Sequence, residues 1–341
     1  MPAKMIKVLI VDDSIVFRET IKRGLEKDKR IEIIGAASNP YEARDMIVKH
    51  RPDVMTLDVE MPLMNGIDFL RRLMPQYPMP VVVVSAVSEN VFDALDAGAV
   101  DFVTKARNSG EVESMINELN VKIKIASVSN IDHHKKSYEK VYPSSTINGN
   151  KSNKIIAIGA STGGTEATYE ILKCFPKDVP GTVVVQHMPE GFTRMYADRL
   201  NRTCMVFVKE AEDGERIERG KVLIAPGGDC HLKVVKKGAF YYVELFQADK
   251  VNGHRPSVDV LFESMSEAIK GEGIGVILTG MGNDGANGLL KMRQNGARTI
   301  GQDEKTSVVY GMPKVAYELG AVEKVAALED IPNHIFTFIK K

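Results

Sequence analysis

The chain has 341 residues, 44% of them apolar, with 45 basic and 45 acidic side chains. That length exceeds one ordinary core and suits two domains of roughly 120 to 190 residues. The balanced charge gives no field toward nucleic acid or an anionic membrane, and no apolar run approaches the roughly 18 residues of a spanning helix, so the expected partners are proteins or small ligands, with no direct membrane insertion.

Met1-Pro2-Ala3-Lys4 leads straight into an apolar strand without a signal-peptide pattern, so a cytoplasmic location is expected. Cys174, Cys204 and Cys230 stand far apart with no Cys-x-x-Cys pair, as idle thiols in a reducing compartment do.

Residues 1–125 alternate short β-branched runs with helical periodicity. Ile6–Val11, Ile31–Ala36, Val54–Leu57, Val81–Ser85 and Val100–Val103 read as strands, and Phe17, Ile21 and Leu25 fall on one helical face behind a capping Ser14. Five βα units imply a parallel sheet covered on both sides, with ligands beyond the carboxyl ends of its strands. Asp12, Asp13, Asp58, Ser85 and Lys105 all fall at those ends. Converging carboxylates repel unless a cation is present, and Mg2+ suits such a set. Asp58 can then accept a phosphoryl group while Lys105 and the Ser85 hydroxyl meet its oxygens.

Val11-Asp12-Asp13-Ser14, Leu57-Asp58-Val59-Glu60-Met61-Pro62, Ser85-Ala86 and Asp101-Phe102-Val103-Thr104-Lys105 resemble the receiver domain of response regulators. The resemblance implies a flavodoxin-like fold, phosphorylation of Asp58 by a chemotaxis histidine kinase, Mg2+ held by Asp12, Asp13, Asp58 and the Glu60 backbone, and Phe102 as the switch aromatic. Two positions depart from the family pattern: Lys105-Ala106, where Lys-Pro is usual, and Asn65-Gly66, where Asp-Gly is common. The first bears on a cis peptide after Lys105.

Residues 126–153 change composition to Ser, Asn, Lys and His. They read as a flexible linker spanning roughly 30 Å, and His133 and His134 lack ligand partners at metal spacing.

The second domain, 154–341, again alternates strand and helix. Lys154–Gly159, Thr182–Gln186, Lys221–Ala225 and Gly275–Thr279 read as buried strands, Val234–Leu245 as an inserted β-hairpin, and Val258, Leu261, Phe262, Met265 and Ile269 as a core-facing helical stripe. The expected architecture is therefore two doubly wound parallel-sheet α/β domains joined by the linker.

Gly159-Ala160-Ser161-Thr162-Gly163 satisfies the Gly-x-Ser-x-Gly pattern that exposes a Ser hydroxyl above a sheet. A hydroxyl needs a base and the base an orienting acid. His187 ends a strand and Asp284 follows another, so three strand ends can meet in one crevice, with the backbone N–H groups of Thr162 and Met281 available to an oxyanion. The order Ser, His, Asp is not that of the α/β-hydrolases. Gly280-x-Gly282-x-x-Gly285 followed by Asp303 also meets a dinucleotide fingerprint, but a carboxylate at Asp284 would itself occupy the positive helix end that pyrophosphate requires.

The same segment, with Gln186-His187-Met188-Pro189, Gly191-Phe192-Thr193, Ala225-Pro226-Gly227-Gly228, His254-Arg255-Pro256-Ser257-Val258-Asp259 and Leu278–Gly285, resembles the chemotaxis protein-glutamate methylesterase. The resemblance implies hydrolysis of glutamate methyl esters on methylated chemoreceptors, often with deamidation of receptor glutamines, no cofactor for the ester chemistry, and Ser161, His187 and Asp284 as catalytic residues. A response regulator with a non-catalytic binding output domain is the alternative; neutral charge and the lack of a basic helix count against DNA as its partner.

Overall fold

The computed structural model describes residues 5–86, 90–131 and 154–340. The chain divides into two compact units, residues 1–136 and 137–341.

In the first unit, β1 (Ile6–Val11), β2 (Ile31–Ala37), β3 (Val54–Asp58), β4 (Val81–Ser85) and β5 (Asp101–Thr104) form one parallel sheet in the order β2-β1-β3-β4-β5. Helices α1 (Ile15–Leu25), α2 (Pro40–His50), α3 (Gly66–Leu73), α4 (Val91–Asp96) and α5 (Val112–Ala126) connect and follow the strands. The unbroken valines of β4 are no more than 1% exposed, as a strand covered on both faces requires. Ser14 caps α1 by accepting the Phe17 N–H. The strand order reverses between β1 and β3, which opens a crevice at their carboxyl ends.

Helix α5 runs to Ala126, one residue into the segment expected to be linker. Residues 132–153 of that segment, with His133 and His134, lie outside the described residues.

In the second unit, β6 (Ile155–Ala160), β7 (Thr182–Gln186), β8 (Phe207–Glu210), β9 (Lys221–Ile224), β12 (Gly273–Ile277), β13 (Arg298–Gln302) and β14 (Lys324–Ala326) form a parallel sheet ordered β14-β13-β12-β6-β7-β9-β8. The antiparallel hairpin is β10 (Cys230–Lys237) with β11 (Phe240–Gln247). The helices are α6 (Gly164–Leu172), α7 (Phe192–Thr203), α8 (Val258–Ile269), α9 (Ala286–Gln294), α10 (Met312–Glu318) and α11 (Ile331–Lys340). Strands β8, β13 and β14 escape the apolar pattern: β8 and β14 are short edges, and β13 buries Thr299 and Gln302 through side-chain hydrogen bonds.

The stripe of α8 is buried as expected, with Ile269 its most exposed member at 4%. It packs with Leu232, Val234, Tyr241 and Val243 of the hairpin in one apolar cluster. Strand β6 is central, with β7 on one side and β12 on the other, so this sheet too has its switch point at the end of β6. The three cysteines are free thiols. Among the described residues no helix is long and apolar enough to cross a membrane.

A Cβ on Gly159 would lie 2.1 Å from Val258 Cγ1, so β6 and the start of α8 touch through a missing side chain. Gly159→Ala is expected to lower the unfolding free energy of the second unit by about 1–3 kcal/mol. Val258→Ala in the same chain should recover part of that loss. Urea unfolding of the two single variants and the double variant checks this; strictly additive losses would reject the contact.

Candidate active site and phospho-acceptor pocket

The crevice of the first sheet gathers Asp12, Asp13 and Asp58, whose oxygens lie within 4.8 Å of one another. Asp12 and Asp58 are buried and Asp13 is exposed. The Lys105 ammonium lies 2.7 Å from Asp12 Oδ2 and 2.6 Å from Asp58 Oδ2. The other oxygens are oriented by backbone: Asp12 Oδ1 accepts the Ser14 N–H at 2.9 Å, and Asp58 Oδ1 accepts the Glu60 N–H at 3.2 Å. Arg18 ties down the acidic loop by donating to the Asp12 and Asp13 carbonyls.

Burial pushes the Asp58 carboxyl up to about 6; Lys105 opposes that rise, and the charge of Asp12 adds to it. One ammonium shared by two buried carboxylates does not neutralise them. An all-oxygen donor set in charge deficit is what a hard divalent ion such as Mg2+ takes, so the residues fit that ion.

Ser85 is buried at the end of β4, and its carbonyl accepts the Lys105 N–H at 2.9 Å. Phe102 is buried beneath the Lys122 ammonium, 4.8 Å from its ring centroid, and Lys122 also donates to the Phe102 carbonyl. The peptide after Lys105 is not cis; among the described residues that geometry belongs to Arg255-Pro256.

In the second sheet the register pairs Ala160 with Gln186, so Ser161 and His187 are the next residues on neighbouring strands. The His187 N–H donates to the Ala160 carbonyl, and Gln186 Nε2 donates to the Ser161 carbonyl at 2.9 Å. The turn after β12 lies on the other flank: a Cβ on Gly280 would meet Ser161 Cβ at 2.7 Å. Glycine there lets the Met281 loop close on the serine. The Ser161 N–H is spent on the Thr279 carbonyl, so it is not open to an oxyanion. Met281, on that turn, is 47% exposed.

His187 Nε2 lies 2.8 Å from Asp284 Oδ2. Its other nitrogen, Nδ1, is buried without a hydrogen-bond partner. With the Nε2 proton directed at Asp284, the neutral ring carries its lone pair on Nδ1, the reverse of the assignment in the Ser-His-Asp template. Asp284 is 1% exposed and heavily solvated by protein. Oδ1 accepts from Ser257 Oγ at 2.7 Å, Asn252 Nδ2 at 2.9 Å and the Asp259 N–H at 3.2 Å, and Oδ2 accepts the Val258 N–H at 2.7 Å. Burial alone would push this carboxyl up; His187, Asn252 and Ser257 hold it well below the usual carboxylate range. The structure thus brings Ser161, His187 and Asp284 to one sheet edge, with an unengaged imidazole nitrogen on the strand next to the hydroxyl.

Sequence reasoning missed the seat of Asp284. The helix end that the carboxylate occupies is that of α8, with Ser257 as its cap, and not that of α9, which follows Asp284 directly. Asp303, the acid of the dinucleotide fingerprint, instead holds a turn by accepting from the Thr306 N–H and hydroxyl. Asn252 and His254 were also missed as neighbours of the site: His254 stacks on His187 with ring centroids 3.7 Å apart and planes 7° from parallel. Asn252-Gly253 is itself a strong hairpin-turn signal, and reading it would have located the turn. His231 is buried, accepting the Ser257 N–H on Nδ1 and bonding the Asp249 carbonyl through Nε2.

Residues 156–335 match the family model of the CheB methylesterase, and residues 8–117 that of the response regulator receiver domain. The chain is 55% identical to a protein-glutamate methylesterase/protein-glutamine glutaminase of Syntrophomonas wolfei, with all of both chains covered. It is 50% identical to a protein of the same name from Syntrophotalea carbinolica, with 99% of each chain covered. The crystal structure of the Thermotoga maritima CheB methylesterase catalytic domain matches with a TM-score of 0.53 and 43% identity, covering 55% of this chain and 98% of that one. A serine, an imidazole and a buried carboxylate at the switch point of one unit, with an acidic receiver pocket in the other, therefore sit in a chain that belongs to the CheB methylesterase family.

Proposed function

We propose that this chain hydrolyses glutamate methyl esters on methylated chemoreceptors and deamidates receptor glutamines, under control of Asp58 phosphorylation by a chemotaxis histidine kinase. The observation that carries the chemistry is the His187 Nε2–Asp284 Oδ2 bond of 2.8 Å, with Nδ1 left without a partner on the strand next to that of Ser161. Ser161 Oγ attacks the ester carbonyl and its proton passes to His187 Nδ1, leaving an imidazolium held by Asp284. The Thr162 and Met281 N–H groups face the developing oxyanion. Collapse expels methoxide, which takes the Nδ1 proton and leaves as methanol. Water, deprotonated by the same nitrogen, then cleaves the acyl-serine to a glutamate carboxylate and returns the proton to Ser161. With a glutamine the leaving group is ammonia.

In the first unit, Asp12, Asp13, Asp58 and the Glu60 backbone would hold Mg2+, which supplies counter-charge for phosphoryl oxygens. An Asp58 oxygen attacks phosphorus and displaces the kinase histidine. Lys105 pairs with the transferred oxygens, Ser85 offers its hydroxyl, and Phe102 beneath Lys122 is the switch aromatic. The absence of a long apolar helix among the described residues accords with a cytoplasmic location.

Ser161→Ala is expected to abolish methanol release from methylated receptor membranes while Asp58 still takes phosphate; retained turnover would refute the nucleophile. A second expectation follows from the raised Asp58 carboxyl. Its stabilising contribution is full below its ordinary 3.8 and is lost as the pH rises through about 6. Asp58→Asn should therefore raise the urea midpoint of the first unit at pH 7.5 and not at pH 3.5. Mg2+ should stabilise the parent chain at pH 7.5 through binding. Midpoints that are equal at both pH values, with no response to Mg2+, would exclude the charge deficit.

A further inference from the structure

The chain entering α8 makes a tight turn at Val251–His254. The Val251 N–H donates to the His254 carbonyl at 3.1 Å and the His254 N–H to the Val251 carbonyl at 2.9 Å. Both central residues are left-handed, Asn252 at φ 52° and Gly253 at φ 82°, as a type I′ turn demands. The turn sends two side chains to the acid–base pair. Asn252 Nδ2 donates to Asp284 Oδ1 at 2.9 Å and to Asp259 Oδ2 at 2.7 Å. His254 lies flat on His187.

Each contact answers a freedom that the pair would otherwise have. A single hydrogen bond at Nε2 lets the His187 ring swing about that bond, and Nδ1 has no partner of its own to hold it. A parallel ring at 3.7 Å blocks the swing. The groups acting on His254 are His187, Asp284 and Lys250; burial and His187 push its imidazole down to about 4, so the stacking surface stays uncharged. Asp259 and Asp284 are both buried acids, and the Asn252 amide is the neutral donor bonded to both.

Resting on the catalytic reading above, we propose that the Val251–His254 turn is a positioning element for the hydrolysis, in which Asn252 fixes the Asp284 carboxylate and His254 fixes the plane of His187, so that Nδ1 addresses Ser161.

The test measures methanol release from methylated receptor membranes by the phosphodonor-activated full chain, across pH. Asn252→Gly removes the amide while keeping a residue at ease in left-handed backbone. It should lower kcat about ten- to a hundredfold with KM little changed. A carboxylate relieved of that donor favours the protonated imidazole, so the acid limb of the rate profile moves to higher pH. Asn252→Asp, which adds a negative charge, should move it further in the same direction. His254→Phe keeps a flat ring and should retain activity within about threefold, whereas His254→Ala should lose about tenfold or more.

A merely structural turn would lower rates at every pH alike and make the two His254 variants equally poor. Parental rates in Asn252→Gly or His254→Ala, an unmoved acid limb in the Asn252 variants, or equal damage from Phe and Ala would each overturn the proposal. Ser161→Ala, run alongside, separates the readings: activity there sinks the catalytic assignment itself, while an inert Ser161→Ala beside fully active turn variants removes only the role of the turn.

Discussion

The second unit depends on where one carboxylate sits. Asp284 is buried at the N-terminus of α8 and takes donors from Ser257, Val258, Asp259, Asn252 and His187. A charge so far from water is tolerable only when its lone pairs are met, and a helix N-terminus supplies both N–H groups and a favourable dipole. The price is rigidity in everything that supplies a donor. The start of α8 cannot shift without releasing the carboxylate, and β6 cannot shift without striking Val258 through Gly159. Ser161, on the turn after β6, inherits that fixed distance.

The two pockets solve opposite electrostatic problems at equivalent places in their sheets. Each lies where strand order reverses, so loops from both flanks converge. In the first, two buried carboxylates share one ammonium, and Asp58 is left hungry for positive charge. In the second, a single carboxylate is oversupplied with donors and stays ionised. The first state suits a site that must gain a cation and a phosphoryl group. The second suits a site that must hold an imidazole at constant strength through a proton transfer.

Much of this was legible along the chain because it follows strand periodicity. The valines of β4 and the apolar runs of β1 and β6 set the sheets, and residues just past such runs must share an edge; that rule places Asp12, Asp58 and Lys105 together, and Ser161 with His187. What lies outside the rule depends on tertiary donors. The seat of Asp284 combines residues 252–259 with 284, and no spacing argument links those segments. The choice of His187 nitrogen is set by the side from which Asp284 approaches. Strands β8 and β14 are too short, and β13 too polar, to stand out from their surroundings.

His231 extends the support outward. It is fully buried in β10, and its two ring nitrogens clasp the Asp249 carbonyl and the Ser257 N–H, the two ends of the segment that carries Asn252 and His254. The β10–β11 hairpin joins no strand of the main sheet, yet through this ring it acts as a strut for the loop. An accessory ornament on the fold is thereby wired to the Asp284–His187 pair, and drift within it is restrained by a bond that it never touches.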